Sequence, residues 1–152
     1  MSYYEKTILT CYTSLSSMIE QIENVIKKRA KNSFYDFQST EIIANKILAL
    51  CNVRFDLIDL KEKTENCLDK LNEEDRILIE YKYFQILPKD ENFDHTSRNY
   101  FRKQVRALNK FSKILSSQGL TEEWFFNKYM KISFISSLYN KVIKEEGKKH
   151  TI

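Results

Sequence analysis

The sequence predicts an all-α fold, in which a long antiparallel helix pair packs with a cluster of shorter helices into a helical bundle. Two glycines and one proline in 152 residues leave too few turn formers for an all-β or loop-rich protein. Apolar residues recur at helical spacing over the first thirty positions, and capping residues followed by acids mark further helix starts. At this length we expect a single helical domain over residues 1–147, with a possible subdomain boundary in the loop 85–96 and a frayed tail at 148–152.

The first predicted helix spans residues 3–30 and carries the strongest helical pattern in the chain. Its main stripe repeats every three or four residues and consists of Ile8, Tyr12, Leu15, Ile19, Ile22 and Ile26. A second row repeats every seven residues beside it and consists of Tyr4, Cys11, Met18 and Val25. Because a dimeric coiled coil usually has charged residues at that flanking position, the wider stripe favours packing inside a bundle.

The second predicted helix begins at Ser39 or Thr40 and runs to about residue 70. Its segment 42–60 is apolar around most of its circumference, which indicates a central helix surrounded on several sides. We expect it to pair antiparallel with the first helix. The overlapping segment 56–76 contains eight acidic residues against four basic ones. Whether this acidic segment masks a basic surface of the same molecule is left open.

Four shorter helices follow, and each is predicted from its capping residues. The expected N-caps are Asn72, Thr96 or Ser97, Thr121 and Ser133. The acids Glu73, Glu74 and Asp75 suit the first turn of the third helix, where the helix dipole favours negative charge, so they need no catalytic role. Gly119 suits a left-handed C-cap of the fourth helix, and the sixth helix is expected to end before Gly147.

The residue inventory argues against an enzyme. With glycine only at positions 119 and 147, the chain contains no phosphate-binding loop, dinucleotide-binding turn or nucleophile elbow. The two histidines, His95 and His150, belong to no metal-ligand motif, so we expect neither a metal nor another cofactor. Three cysteines outside any paired motif fit a reducing cytoplasm. No stretch is apolar enough for an export signal or a membrane span.

The most informative segment is the fourth predicted helix, residues 97–118. No acid occurs between Asp94 and Glu122. On a helical projection most of its cations fall within about 120°. The opposite side is expected to pack and carries Phe101, Val105, Leu108 and Leu115. An ordinary solvated face usually mixes both signs of charge for i,i+4 pairing. We therefore select these candidate nucleic-acid-binding residues: Arg98, Asn99, Arg102, Lys103, Arg106, Lys110 and Lys113.

Two segments resemble the fourth conserved region of bacterial sigma factors and related phage transcription regulators. Residues 71–84 are similar to the opening helix of that region in the spacing of the leucine, the acidic turn, the arginine and the closing Tyr-Phe pair. Residues 97–111 are similar to its recognition helix and to its Ala-Leu-x-Lys-Leu ending. Between them, the loop 85–96 stands where the family has a scanning helix. The resemblance implies that Arg98, Asn99 and Arg102, near the helix start, face DNA. It also implies that Arg106 and Lys110, further along, lie nearer the DNA backbone.

The predicted function is therefore nucleic-acid binding, with duplex DNA favoured, by phosphate neutralisation and base contact along the basic face, as in a transcription regulator. The alternative is a helical interaction module that docks an acidic protein partner on the same face, or that self-associates through its aromatic residues as a homodimer. The aromatic-rich segment 120–146 is expected to form core. A stacking platform for single-stranded nucleic acid is its other interpretation.

Overall fold

A computed structural model describes residues 2–32, 40–89 and 98–149 of the chain. These residues form six α-helices and no strand, which confirms the all-α prediction. The helices are α1 (Tyr3–Asn32), α2 (Thr40–Asp69), α3 (Glu73–Phe84), α4 (Arg98–Ser117), α5 (Glu122–Tyr129) and α6 (Ser133–Lys149). Several predictions lie outside the described residues: the caps Ser39, Thr96 and Ser97, both histidines, the loop from residue 90 onward, and the tail after residue 149.

The chain divides into two compact units. Unit 1 consists of Met1–Thr13 and Lys63–Ile152, and unit 2 consists of Ser14–Glu62. In unit 1 the Tyr12 hydroxyl donates to Glu65 Oε1 at 2.9 Å, and in unit 2 Arg54 pairs with Glu23 at 3.8 Å. Tyr12, near the start of α1, contacts a residue near the end of α2. Glu23, further along α1, contacts Arg54, which lies closer to the start of α2. The long helices therefore run antiparallel, as predicted.

The core of unit 1 joins the start of α1 to the shorter helices. Its largest fully buried side chains include Tyr129, Phe111, Phe125, Ile8, Leu9, Ile79, Leu115 and Ile135. The Tyr4 hydroxyl donates to the carbonyl oxygen of Leu120 at 2.9 Å, and Lys6 Nζ pairs with Glu146 Oε2 at 2.9 Å. Because buried backbone and side-chain polar groups need partners, these bonds hold the first turns of α1 against the α4–α5 turn and α6.

The predicted ends of α3, α4 and α5 are confirmed. Asn72 Oδ1 accepts from the Asp75 N–H at 2.8 Å, and Thr121 Oγ1 accepts from the Trp124 N–H at 3.3 Å. After α4, Gly119 has φ +75°, and the Leu120 N–H donates to the carbonyl oxygen of Leu115 at 3.0 Å. This is the left-handed helix ending for which glycine has no steric penalty.

Two predictions for α6 are wrong. Ser133 is the first helical residue rather than the residue that precedes the helix, and the helix passes through Gly147 to Lys149. A glycine inside a helix costs only about 1 kcal/mol relative to alanine. The ion pair between Lys6 and Glu146 holds the side chain directly before Gly147 against α1, so tertiary contact offsets the low helical propensity of glycine.

The prediction that residues 42–60 of α2 are surrounded on several sides is also wrong. No side chain between positions 40 and 56 is buried, and Ile42, Leu48 and Phe55 are 48%, 58% and 63% exposed. The described side chains that are buried in unit 2 are Leu15, Leu57 and Leu60. In a helix pair each helix covers one side of the other, so an apolar residue on a second side stays in contact with solvent.

Candidate nucleic-acid interface

Helix α4 separates a buried side from an exposed basic side. Its buried residues are Tyr100, Gln104, Ala107, Leu108, Phe111 and Leu115. Most of the predicted site residues are exposed: Arg98, Asn99, Arg102, Arg106, Lys110 and Lys113. Lys103 is half-buried at the edge of this group. The arrangement follows from 100° of rotation per residue, which brings positions three and four apart onto one face.

Two of the predicted cations are bound by acids in the first turn of α3. Lys103 Nζ lies 3.0 Å from Glu74 Oε1, and Lys110 Nζ lies 2.7 Å from Asp75 Oδ2. The Asp75 side chain is 8% exposed, so Lys110 compensates a carboxylate that α3 places almost out of solvent. The acidic segment 56–76 therefore neutralises part of the predicted site.

The remaining cations of α4 keep their charge available to solvent. Within the described ranges no ion pair joins Arg98, Arg102, Arg106 or Lys113 to a carboxylate. These residues lie within about 80° of one another on a helical projection. They form a continuous positive surface that we call the open basic face.

The prediction that Phe101 and Val105 pack into the core is wrong. Phe101 is 55% exposed and Val105 is 57% exposed. Together with Arg102 and Arg106 they line a shallow, open depression. The buried arc of α4 is centred near Gln104 and Phe111, and both apolar residues lie beyond its edge. Sequence reasoning missed them as surface residues because it centred the packed side on Phe101, Val105, Leu108 and Leu115, whereas the buried side is rotated toward Gln104 and Phe111.

The buried side of α4 fixes the orientation of the open basic face. The Ser112 hydroxyl donates to Glu5 Oε1 at 2.8 Å, which ties α4 to the first turns of α1. Tyr100 packs edge-on against Tyr81 of α3 with ring centroids 5.9 Å apart. Burial raises the pKa of Tyr100, and the neighbouring Tyr81 adds to the effect, so its phenol stays neutral behind the cationic surface. These contacts place the exposed side chains on a rigid element.

The aromatic residues of the C-terminal segment lie in the core only in part. Phe125 and Tyr129 are fully buried, and their ring centroids are 5.7 Å apart. Trp124 packs against Tyr129 at 5.1 Å, and Phe126 packs against Tyr139 at 5.3 Å. Trp124 and Phe126 are half-buried. The two fully buried rings, Phe125 and Tyr129, have no face available for a base to stack on.

Two features are absent from the described part of the chain, namely a metal-ligand cluster and a membrane-spanning helix. No group of three or more His, Cys, Asp or Glu side chains in that part of the chain could hold a metal ion. Among the six described helices, none combines the length and apolarity needed to cross a bilayer.

Comparison with known proteins assigns neither a family nor a function to the chain. No protein-family model matches the sequence, and neither a curated protein nor a solved structure matches it. The geometry of α4 and its neighbours is therefore the basis for a functional proposal.

Proposed function

We propose that the protein binds nucleic acid, with duplex DNA as the preferred form, through the open basic face of α4. The observation that carries this proposal is the exposure of four α4 cations that have no acid partner among the described residues. Phosphate backbones are recognised by such surfaces because each neutralised phosphate releases condensed counterions. Three of the four cations are arginines, whose planar guanidinium suits phosphate oxygens and guanine edges.

The residues divide into two roles along the helix. Arg106 and Lys113, further along α4, contact phosphates and set the position of the helix on the duplex. Arg98, Asn99 and Arg102 lie in the first turns, where a recognition helix usually reaches base edges in the major groove. Lys103 and Lys110 have a smaller share, because Glu74 and Asp75 already compensate their charge.

A role in transcription regulation is the finer form of this proposal. The two segments that resemble the fourth region of sigma factors fall on α3 and α4, and these helices pack against each other. Their packing supports the assignment of α3 as the helix that holds α4 in place. The resemblance, rather than the charge alone, favours a sequence-reading regulator over a non-specific DNA-coating protein.

A protein partner is the second candidate for the same face. Phe101 and Val105 are exposed beside Arg102 and Arg106. Aromatic and arginine side chains are enriched at protein interfaces, and an acidic helix with one apolar residue would suit this depression. The test below separates the two candidates.

The nucleic-acid proposal is tested by fluorescence anisotropy of labelled duplex DNA of random sequence, with single-stranded DNA in parallel, between 50 and 200 mM salt. Four phosphate contacts give an upper limit of about −4 for the slope of log affinity against log salt. The triple variant Arg98→Ala, Arg102→Ala, Arg106→Ala should bind at least about tenfold more weakly at the lower salt, with a slope near −1.

A matched control removes the same charge elsewhere. Lys28, Arg29 and Lys31 at the end of α1 are exposed, and their triple alanine variant should bind as the unchanged protein does. Equal losses in both triple variants would show that only net charge matters and would contradict a site on α4. Absence of binding at 50 mM salt, with unchanged circular dichroism, would exclude the nucleic-acid proposal and favour the acidic protein partner.

A further inference from the structure

Unit 2 carries a second apolar stripe, on the side of α2 opposite its buried residues. The stripe consists of Ala44, Leu48, Cys51, Phe55 and Ile58. Leu48 and Phe55 are 58% and 63% exposed, Ala44 is exposed, and Cys51 and Ile58 are half-buried. On a helical projection the five positions lie within about 80° of one another. None of them is used by the proposed nucleic-acid interface.

The spacing of this stripe is that of a coiled-coil seam. Successive members are separated by four, three, four and three residues, which is the heptad alternation that keeps one seam facing a partner helix. Ala44, Cys51 and Ile58 occupy the d positions of the heptad, and Leu48 and Phe55 occupy the a positions. The second apolar side of a surface helix is buried only where another element covers it, and within the described part of unit 2 the only neighbouring helix is α1.

The charges beside the stripe distinguish the possible neighbours. In this register Arg54 occupies a g position and Asp59 the e position five residues later. In a parallel pair of identical helices, a residue at a g position of one helix lies next to the e-position residue five positions later on the other helix. The two-fold axis of the dimer produces the same contact a second time. Two copies would thus form two Arg54–Asp59 pairs. The Arg54 side chain is 31% exposed and lies 3.8 Å from Glu23, and its guanidinium has further N–H donors for a second carboxylate.

An antiparallel pairing of the same stripe has no such complementarity. There g positions face g positions and e positions face e positions. The g positions are Ile47, Arg54 and Lys61, and the e positions are Asn45, Asn52 and Asp59. Arg54 would meet isoleucine, arginine or lysine, and Asp59 would meet asparagine or aspartate, so no opposite charges would be brought together.

We propose that the apolar stripe of α2 packs against the same stripe of a second copy of this chain, with the two α2 helices parallel. The stripe buries its exposed leucine and phenylalanine in the seam, and Arg54 of each copy pairs with Asp59 of the other. This assembly does not depend on the proposed nucleic-acid function. If both hold, each dimer carries two open basic faces, one from each copy.

Sedimentation equilibrium of the full chain from about 1 to 200 μM tests the interface. The unchanged protein should show a reversible monomer–dimer equilibrium. Leu48→Glu should weaken the dimer about a hundredfold, because each copy loses one buried leucine contact. The matched control is Ala49→Glu, which adds the same charge at the next exposed position, away from the stripe, and should leave the equilibrium unchanged. Circular dichroism verifies that both variants keep their helices.

Cysteine cross-linking tests the direction of the helices. Cys11 and Cys67 are buried, and burial raises the pKa of both thiols, to about 12 for Cys11, so both resist oxidation. In a Cys51→Ser background, either Ala44→Cys or Ile58→Cys alone should form disulfide-linked dimers, because each position meets its own copy only in a parallel pair. An antiparallel pair centred near position 51 brings residue 44 to residue 58 of the other copy, and neither variant would cross-link.

Three results would overturn the proposal. The first is a monomer throughout the concentration range. The second is a dimer that Leu48→Glu leaves intact, which would place the interface elsewhere. The third is a Leu48-dependent dimer without cross-links in either cysteine variant, which would exclude the parallel arrangement.

Discussion

Helix α4 and the first half of α2, residues 40–56, use apolar residues in different ways. Six side chains of α4 are buried on one side, and the opposite side is polar. The α2 segment contains enough apolar residues for more than one helical stripe, yet none of its side chains is buried. The difference shows that an apolar side chain becomes buried only where neighbouring elements pack over it. The sequence pattern shows which side chains are suitable for burial, but it does not show which are covered.

The same comparison holds for charge. The cations of α4 have no acids on their own helix, so their partners Glu74 and Asp75 come from α3. In unit 2, Arg54 of α2 finds Glu23 on α1, at the longer distance of 3.8 Å. The acids of α3 therefore determine how much of the α4 charge remains available for an anionic partner.

The largest expected effect contrasts one phenylalanine from each helix. Phe111 of α4 is fully buried and Phe55 of α2 is 63% exposed. Phe111→Ala should lower the free energy of unfolding by about 3–5 kcal/mol because it leaves a core cavity. Phe55→Ala should change it by less than about 0.5 kcal/mol in the monomer. Urea unfolding at a protein concentration of about 1 μM measures both, and equal losses would contradict the contrast.

A smaller effect is expected at the cap that orients the acids of α3. Asn72→Ala removes the acceptor of the Asp75 N–H and should cost about 1 kcal/mol of unfolding free energy. Asn109→Ala is the matched control, since Asn109 is an exposed residue inside α4. Alanine has the higher helical propensity there, so this variant should gain up to about 0.5 kcal/mol. Loss of stability in both variants would argue against a capping role for Asn72.

The smallest effect on stability is expected at Glu74. Its substitution should also change DNA binding. Its side chain is 65% exposed, so Glu74→Gln should change the unfolding free energy by less than about 0.5 kcal/mol. Lys103 is then free for a phosphate, and the salt slope of DNA binding should become steeper by about 1.

Glu73→Gln is the control for this change, because it removes a negative charge from the same helical turn without releasing Lys103. Both variants are compared by anisotropy titrations at several salt concentrations. A slope that responds equally to both substitutions would indicate a general charge effect and would contradict a specific masking contact.

Much of the fold followed from local sequence. The heptad-like stripe of α1, the Asn72 and Thr121 caps and the Gly119 helix ending depend on residues within one or two turns of each other, and all are present. The end of α6 could not be predicted in this way. There the helix continues past Gly147, beside Glu146, which pairs with Lys6 far away in the chain.

The candidate site was predictable in part. The grouping of the α4 cations follows from helical rotation alone, and the predicted residues other than Lys103 are exposed. Which of them are neutralised depended on the packing of α3 against α4. The surface position of Phe101 and Val105 depended on where the buried arc of α4 ends, and that boundary is set by the neighbouring helices.

By itself the sequence determined the helical class, the order and most ends of the helices, and the one-signed charge of α4. These properties arise from interactions between residues a few positions apart, which the backbone geometry of a helix places at known angles. Only the tertiary structure decided that the early part of α2 stays exposed, that Glu74 and Asp75 hold Lys103 and Lys110, and that Arg98, Arg102, Arg106 and Lys113 remain open. Such outcomes depend on contacts between residues distant in the chain, and local periodicity contains no information about which distant element becomes the neighbour.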